Sequence, residues 1–225
     1  MTDQIRILLV DDQELIRVGF RLVLEAESDL VVVGEASDGI EAVQQAATLR
    51  PDVVLMDVRM PVLDGVAATA RIVAEVPGTR VLVLTTFDLD EYAFGALEAG
   101  ASGFLLKDAR RHELTEAIRA VHRGDATLSA RVTRRLIDRL RDRPAAPSAP
   151  AEPHDALEEL TDREREVLVE IGRGLSNAEI ARALHLGEST VKTHVGRILA
   201  KTGSRDRVQA VILAHRLGIV AIRER

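Results

Sequence analysis

The sequence predicts an α/β unit built on a doubly wound, five-stranded parallel sheet, followed by a smaller all-α unit of four helices. Three observations carry this expectation. Five short aliphatic runs start 25, 23, 28 and 22 residues apart, with helical patterns between them. Four of the seven prolines fall within ten residues, at Pro144, Pro147, Pro150 and Pro153. Beyond them, short helical patterns are set off by capping residues and glycines. A length of 225 residues suits two ordinary domains.

The aliphatic runs are Ile5–Val10, Leu30–Glu35, Val53–Asp57, Val81–Thr85 and Gly103–Leu106. Each is short and bounded by Asp, Gly or Pro, as a strand buried on both faces should be. Helical spacing follows, for example at Leu15, Val18, Gly19, Leu22 and Val23, and later around Tyr92, Ala93 and Leu97. Residues 130–140 read as a basic helix, with Val132, Leu136 and Leu140 spaced by four. Residues 142–155 have almost nothing to bury, and their prolines fix φ and remove donors, so they read as an extended linker. After it, Thr161 to Glu164 and Ser176 to Glu179 both fit the capping box. Helices are expected at about 161–173, 176–185, 188–202 and 204–217. The expected division is 1–125, 126–156 and 157–225.

Composition narrows the function. Hydrophobic residues make up 46%, enough for packed cores, but only Phe20, Phe87, Tyr92, Phe94 and Phe104 are aromatic, so those cores are aliphatic. There is no Cys, which excludes disulfides, thiolate zinc sites and thiol nucleophiles. No apolar run reaches a membrane span, and the start lacks a basic n-region, so a cytoplasmic protein without membrane contact is expected. The net charge of −6 conceals a division: −10 over 1–130, +4 over 131–143, −6 over 144–170 and +6 over 171–225. An acidic body with a basic end suggests two functions, the second facing a polyanion.

In a parallel sheet, ligand sites lie at the carboxyl ends of strands. Here those ends carry Asp11-Asp12, Asp57, Thr85 and Lys107. Crowded carboxylates repel one another, and a hard divalent cation such as Mg²⁺ relieves them. A carboxylate beside Mg²⁺ can serve as a phosphoryl acceptor. Asp57, at the mouth of a buried strand, is the leading nucleophile, with Lys107 and Thr85 placed to meet phosphoryl oxygens. Taken singly, each of these residues has an ordinary reading as a cap, a solvated charge or a core hydroxyl; their joint occurrence at successive strand ends carries the inference.

Val10-Asp11-Asp12, Asp57-Val58-Arg59-Met60-Pro61 with Asp64-Gly65, Thr85, and Gly103-Phe104-Leu105-Leu106-Lys107 together resemble the receiver domain of two-component response regulators, over about residues 4–123. The resemblance implies a flavodoxin-like fold and phosphorylation of Asp57 by a sensor histidine kinase. It also implies Mg²⁺ held by Asp11, Asp12, Asp57 and the backbone carbonyl of Arg59. Thr85 and Phe104 would form the switch, with Lys107 moving toward the phosphoryl group. One departure is Lys107-Asp108, where many receivers have Lys-Pro; this leaves the geometry of that peptide open.

In the third C-terminal helix, Val191, Val195, Ile198 and Leu199 define a buried stripe. Thr193, Gly196, Arg197 and Ala200 point the other way, flanked by Lys192 and Lys201. This basic, lightly built face could approach a DNA groove. Residues 157–219 resemble a LuxR-type helix-turn-helix, on Leu160-Thr161-Asp162-Arg163-Glu164, Ser176-Asn177-Ala178-Glu179 and Ser189-Thr190-Val191-Lys192-Thr193-His194-Val195. The two resemblances together identify the chain as a member of the NarL/FixJ subfamily. They imply binding to promoter DNA and a homodimer when phosphorylated. Val208, Val211, Ile212 and His215 are candidates for the dimer surface, with packing on the domain's own core an equal alternative. Some relatives carry a basic residue where Gly196 stands, so base preference does not carry over. A phosphohydrolase using an aspartyl phosphate is the rival reading. It lacks its usual acid two positions after the nucleophile, where Arg59 stands, and it leaves the basic end unexplained. A regulator gated by a diffusible ligand would share only the C-terminal part.

Overall fold

The computed structural model describes residues 4–86, 91–124 and 157–220. The chain divides into two compact units, Met1–Ala126 and Thr127–Arg225. The expected basic helix and the proline-rich linker lie outside the described residues, as does Phe87.

The first unit holds β1 (Ile5–Val10), β2 (Leu30–Ala36), β3 (Val53–Asp57), β4 (Arg80–Thr85) and β5 (Gly103–Leu106), all parallel, in the order β2-β1-β3-β4-β5. Helices α1 (Glu14–Glu25), α2 (Gly39–Leu49), α3 (Gly65–Glu75), α4 (Glu91–Glu98) and α5 (Arg111–Arg123) connect and follow them. The central strands are aliphatic because both faces are covered: every residue of β3 is buried, as are Ile7 to Val10 and Val81 to Thr85. The chain runs outward from β1 to β2 and returns to β3 on the other side. The strand order therefore reverses between β1 and β3, and ligands favour such a switch point. Asp11 and Asp57 sit at those two strand ends.

Periodicity leaves the buried side of α1 open. The spacing of Leu15, Val18 and Leu22 does mark a helix, yet these side chains face solvent, at 81%, 44% and 66% exposure. The inward side of α1 is Ile16, Phe20, Val23 and Leu24 instead. Both sets recur at helical intervals, so periodicity fixes the helix and not which side is buried.

The second unit contains α6 (Asp162–Gly172), α7 (Asn177–Leu184), α8 (Glu188–Thr202) and α9 (Arg207–Arg216). Both expected capping boxes form: Thr161 with Glu164, and Ser176 with Glu179. Gly174 and Gly203 close α6 and α8 at positive φ, whereas His185 takes the left-handed position after α7 and Gly187 opens α8. The last helix starts later than the expected 204 because the Asp206 carboxylate accepts from the Gln209 N–H at 3.0 Å and fixes the start there. Leu160, Val167, Leu168, Ile171, Ile180, Val191, Ile198, Val211 and Ile212 form its core.

Candidate functional site

The acidic cluster forms where the strand order reverses. Asp11, Asp12 and Asp57 each place a carboxylate oxygen within 4.8 Å of the others. Asp11 and Asp57 are buried, whereas Asp12 is exposed. Lys107, just beyond β5, reaches across the end of β4, its Nζ lying 2.6 Å from Asp11 Oδ2 and 3.1 Å from Asp57 Oδ1. Its main-chain N–H donates to the carbonyl of Thr85 at 2.8 Å, which ties the ends of β4 and β5 together. Thr85 itself is buried at the tip of β4.

Burial pushes the Asp57 carboxyl above the ordinary carboxylate value, and neighbouring Asp11 adds to this; Lys107 and the Arg59 N–H act against it. For Lys107, burial works to lower the ammonium, but its pairing with Asp11 and Asp57 outweighs this and raises it. Asp57 is thus a desolvated carboxyl group with a fixed cation beside it. The β3–α3 turn keeps the approach close: a Cβ on Gly65 would lie 2.0 Å from the Asp57 carbonyl oxygen, so only glycine fits. The Arg59 side chain turns outward, its guanidinium 4.9 Å from the centre of the Tyr92 ring.

The donor set suits Mg²⁺: hard carboxylate oxygens at one strand edge, with the Arg59 main chain adjoining. Among the described residues no peptide bond is cis, so the Lys107-Asp108 bond is trans. Phe104 is half-buried on β5, paired in register with Val83, while Thr85 pairs with Leu106. Sequence reasoning missed Arg17. From α1 its Nη1 donates to the main-chain oxygen of Asp11 at 2.7 Å, and its Nε to Glu35 Oε2 at 3.1 Å. Nothing in the residue pattern marks this, because it joins a helix face to a loop carbonyl.

In the second unit, Lys192, Thr193, Gly196, Arg197 and Ala200 are exposed together on α8, opposite buried Val191, Val195 and Ile198. A Cβ on Gly196 would meet nothing within 4 Å, so the helix surface is open there. The Thr193 hydroxyl donates to the Ser189 carbonyl at 3.1 Å.

Lys201, counted with the predicted face, has partners inside the unit. Its Nζ bonds Glu164 Oε2 at 2.7 Å and the Glu159 carbonyl at 3.0 Å. The ammonium is used inside the unit, joining the end of α8 to the start of α6. Together with the Thr161 N–H, it holds the buried Glu164 carboxyl at about 2.

Of the two readings open for the candidate dimer residues, the fold of the unit agrees with core packing. Val208, Val211 and Ile212 are only 2%, 4% and 2% exposed, and α9 packs on α6. The His215 Nε2 lies 2.7 Å from the Gly172 carbonyl oxygen. A four-helix unit of this size needs the apolar side of its last helix for its own core.

Among the described residues no helix is long and apolar enough to cross a membrane. The profile of the response regulator receiver domain matches residues 7–119, and that of the bacterial regulatory proteins of the luxR family matches residues 158–214. The chain is 46% identical to the transcriptional regulatory protein YxjL of Bacillus subtilis strain 168, covering 97% of this chain and 98% of that one. It is 43% identical to the transcriptional regulatory protein LiaR of the same strain, covering 96% and 99%. Among solved structures, the response regulator ChrA of a heme-sensing two-component system is 37% identical with a TM-score of 0.51, covering 97% of this chain and 100% of ChrA. The chain belongs to the two-component response regulators that join a receiver to a LuxR-type DNA-binding domain, and it is a transcriptional regulator of that family.

Proposed function

We propose that Asp57 accepts a phosphoryl group from a sensor histidine kinase and that this controls how α8 engages promoter DNA. The division follows from the same reading: a receiver at 1–125, a linking segment at 126–156 and a DNA reader at 157–225. The observation that carries it is the buried triad of Asp11, Asp57 and Lys107 at the switch point of the sheet. Mg²⁺, when bound, neutralises charge on the phosphoryl oxygens, and Asp11, Asp12, Asp57 and the Arg59 carbonyl are the groups that would hold it. Asp57 supplies the oxygen that forms the new O–P bond. The N–P bond to the kinase imidazole breaks, and its electron pair stays on that nitrogen. The Lys107 ammonium faces the transferred group and offsets its charge. Thr85, one strand over, offers a hydroxyl to it, and Phe104 follows Thr85 as the switch between two receiver states.

On the DNA side, Lys192 and Arg197 meet phosphates or guanine edges, and Thr193, Gly196 and Ala200 allow close approach. A homodimer in the phosphorylated form would set two α8 helices on two half-sites about one DNA turn apart. Such a regulator acts in the cytoplasm. The receiver reading is tested by incubating the chain with a small-molecule phosphodonor and Mg²⁺. The wild type gains one phosphoryl mass at Asp57 and Asp57→Asn gains none. Undiminished labelling of Asp57→Asn would remove it as the acceptor. Sedimentation of the labelled protein should show a larger dimer fraction, and an unchanged mass counts against switching by dimerisation.

A further inference from the structure

We infer that Arg17 is the positioning residue for the paired aspartates of the receiver site, and that Glu35 holds Arg17 in place; this rests on reading Asp11, Asp12 and Asp57 as the Mg²⁺-holding carboxylates. Arg17 lies on α1, outside the cluster, with its side chain only 14% exposed. Its Nη1 donates to the main-chain oxygen of Asp11 at 2.7 Å. The peptide unit is planar, so the carbonyl of Asp11 and the N–H of Asp12 share one rigid plate. Fixing that oxygen fixes the direction in which the chain leaves toward Asp12. The Asp11 side chain has its own anchors: Oδ1 accepts from the Gln13 N–H at 3.0 Å, and Oδ2 meets Lys107. The Asp12 side chain is exposed, and its placement depends on the main chain that Arg17 grips.

Glu35, at the end of β2, is itself fixed from several sides. Its Oε2 takes Arg17 Nε at 3.1 Å, and its Oε1 takes Arg21 Nε at 2.7 Å. Its main-chain oxygen accepts from Gln45 Nε2, which also donates to Glu41 Oε1 at 3.0 Å. Two arginines thus share one carboxylate, but only Arg17 also reaches the site. The guanidinium fork serves both partners at once; a lysine ammonium on a flexible stem does not reproduce that geometry.

Charge and geometry predict opposite signs. A positive charge near the cluster opposes cation binding through space. Its hold on the Asp11–Asp12 peptide favours cation binding by presenting both carboxylates together. Substitutions that keep the charge separate the two effects.

Isothermal titration of the full chain with Mg²⁺ is the test, on wild type, Arg17→Lys and Arg21→Lys. Both variants keep the charge and both loosen the pairing with Glu35, so both should lower the Mg²⁺-free unfolding temperature. Only Arg17→Lys should raise the Mg²⁺ Kd, by roughly tenfold, the size of effect seen when groups that orient metal ligands are changed. Arg21→Lys should bind as wild type does. An unchanged Kd in Arg17→Lys, or an equal rise in Arg21→Lys, overturns the inference while leaving the Mg²⁺ site standing. Should Arg17→Lys fail to fold, Arg17→Gln decides: weaker binding despite the lost positive charge supports the positioning role, and equal or tighter binding overturns it. A wild-type chain that binds no Mg²⁺, or an Asp11→Asn chain that binds it equally well, overturns the reading of the cluster and this inference with it.

Discussion

In the receiver, the charged groups at the centre of the site are buried at strand ends: Asp11 and Asp57 are 2% and 5% exposed, with Lys107 between them. In the C-terminal unit, Lys192 and Arg197 stand in solvent on one side of α8, whereas the Lys201–Glu164 pair is drawn inward. Chemistry at phosphorus gains from charges already desolvated and fixed before the reaction. Meeting a polyanion gains from cations that sit in water and release counterions on contact. On the proposed function, the same residue type, lysine, would do three jobs here. Lys107 would be the reaction-site cation and Lys192 a surface contact, while Lys201 braces Glu164.

Exchanging those roles breaks the comparison, and the largest effect is expected in the receiver. Lys107→Met leaves Asp11 and Asp57 facing each other without a counter-charge. It should slow phosphoryl transfer to Asp57 by about 100-fold, as loss of a fixed charge-stabilising group does. Stopped-time labelling measures this, and a wild-type rate would show that Lys107 is a bystander.

Next comes Lys201→Met, which takes the counter-charge from the buried Glu164 carboxylate, leaves it only the donors of its cap, and should cost about 1.5–3 kcal/mol of stability in the C-terminal unit. The acid limb should move as well. Glu164, held at about 2 against an ordinary 4.5, contributes stability that is complete above pH 4.5 and is lost as pH falls toward 2. Without Lys201 the folded carboxyl titrates closer to its ordinary value, so that contribution shrinks and the unit resists acid no better than its unpaired carboxylates allow. Calorimetric unfolding from pH 2 to 7 reads both effects. If Lys201→Met instead flattened the salt dependence of DNA binding and left stability alone, Lys201 would belong to the reading face after all.

The smallest effect is at Lys192. Lys192→Ala should weaken DNA binding and reduce the slope of log affinity against log salt by about 0.9, one phosphate contact, with no change in unfolding temperature. An unchanged slope would move the reading face elsewhere.

The same contrast explains what could be read from the residues alone. The sheet was legible because strands buried on both faces must be aliphatic throughout, as Val53 to Met56 are. The acidic site was legible because parallel topology gathers strand ends, so Asp11, Asp57, Thr85 and Lys107 needed only their places in order. Direction was harder to read. Lys192 and Lys201 both lie on α8 and carry the same charge, and only the folded unit shows that one meets water and the other Glu164. Val208, Val211 and Ile212 would look alike in a core or an interface, since both select apolar side chains. The outward set on α1, Leu15, Val18 and Leu22, misleads for the same reason. The reach of Arg17 to the site left no mark, because its partner there is a main-chain oxygen, which every residue has.

On the proposed function, the buried site governs the exposed one. It is tested most directly by fluorescence anisotropy of a bound promoter fragment, at fixed salt and Mg²⁺, with and without phosphodonor. Wild-type affinity should rise on phosphorylation, while that of Asp57→Asn should be the same in both conditions. Equal wild-type affinity in both conditions, or an equal rise in Asp57→Asn, would contradict it.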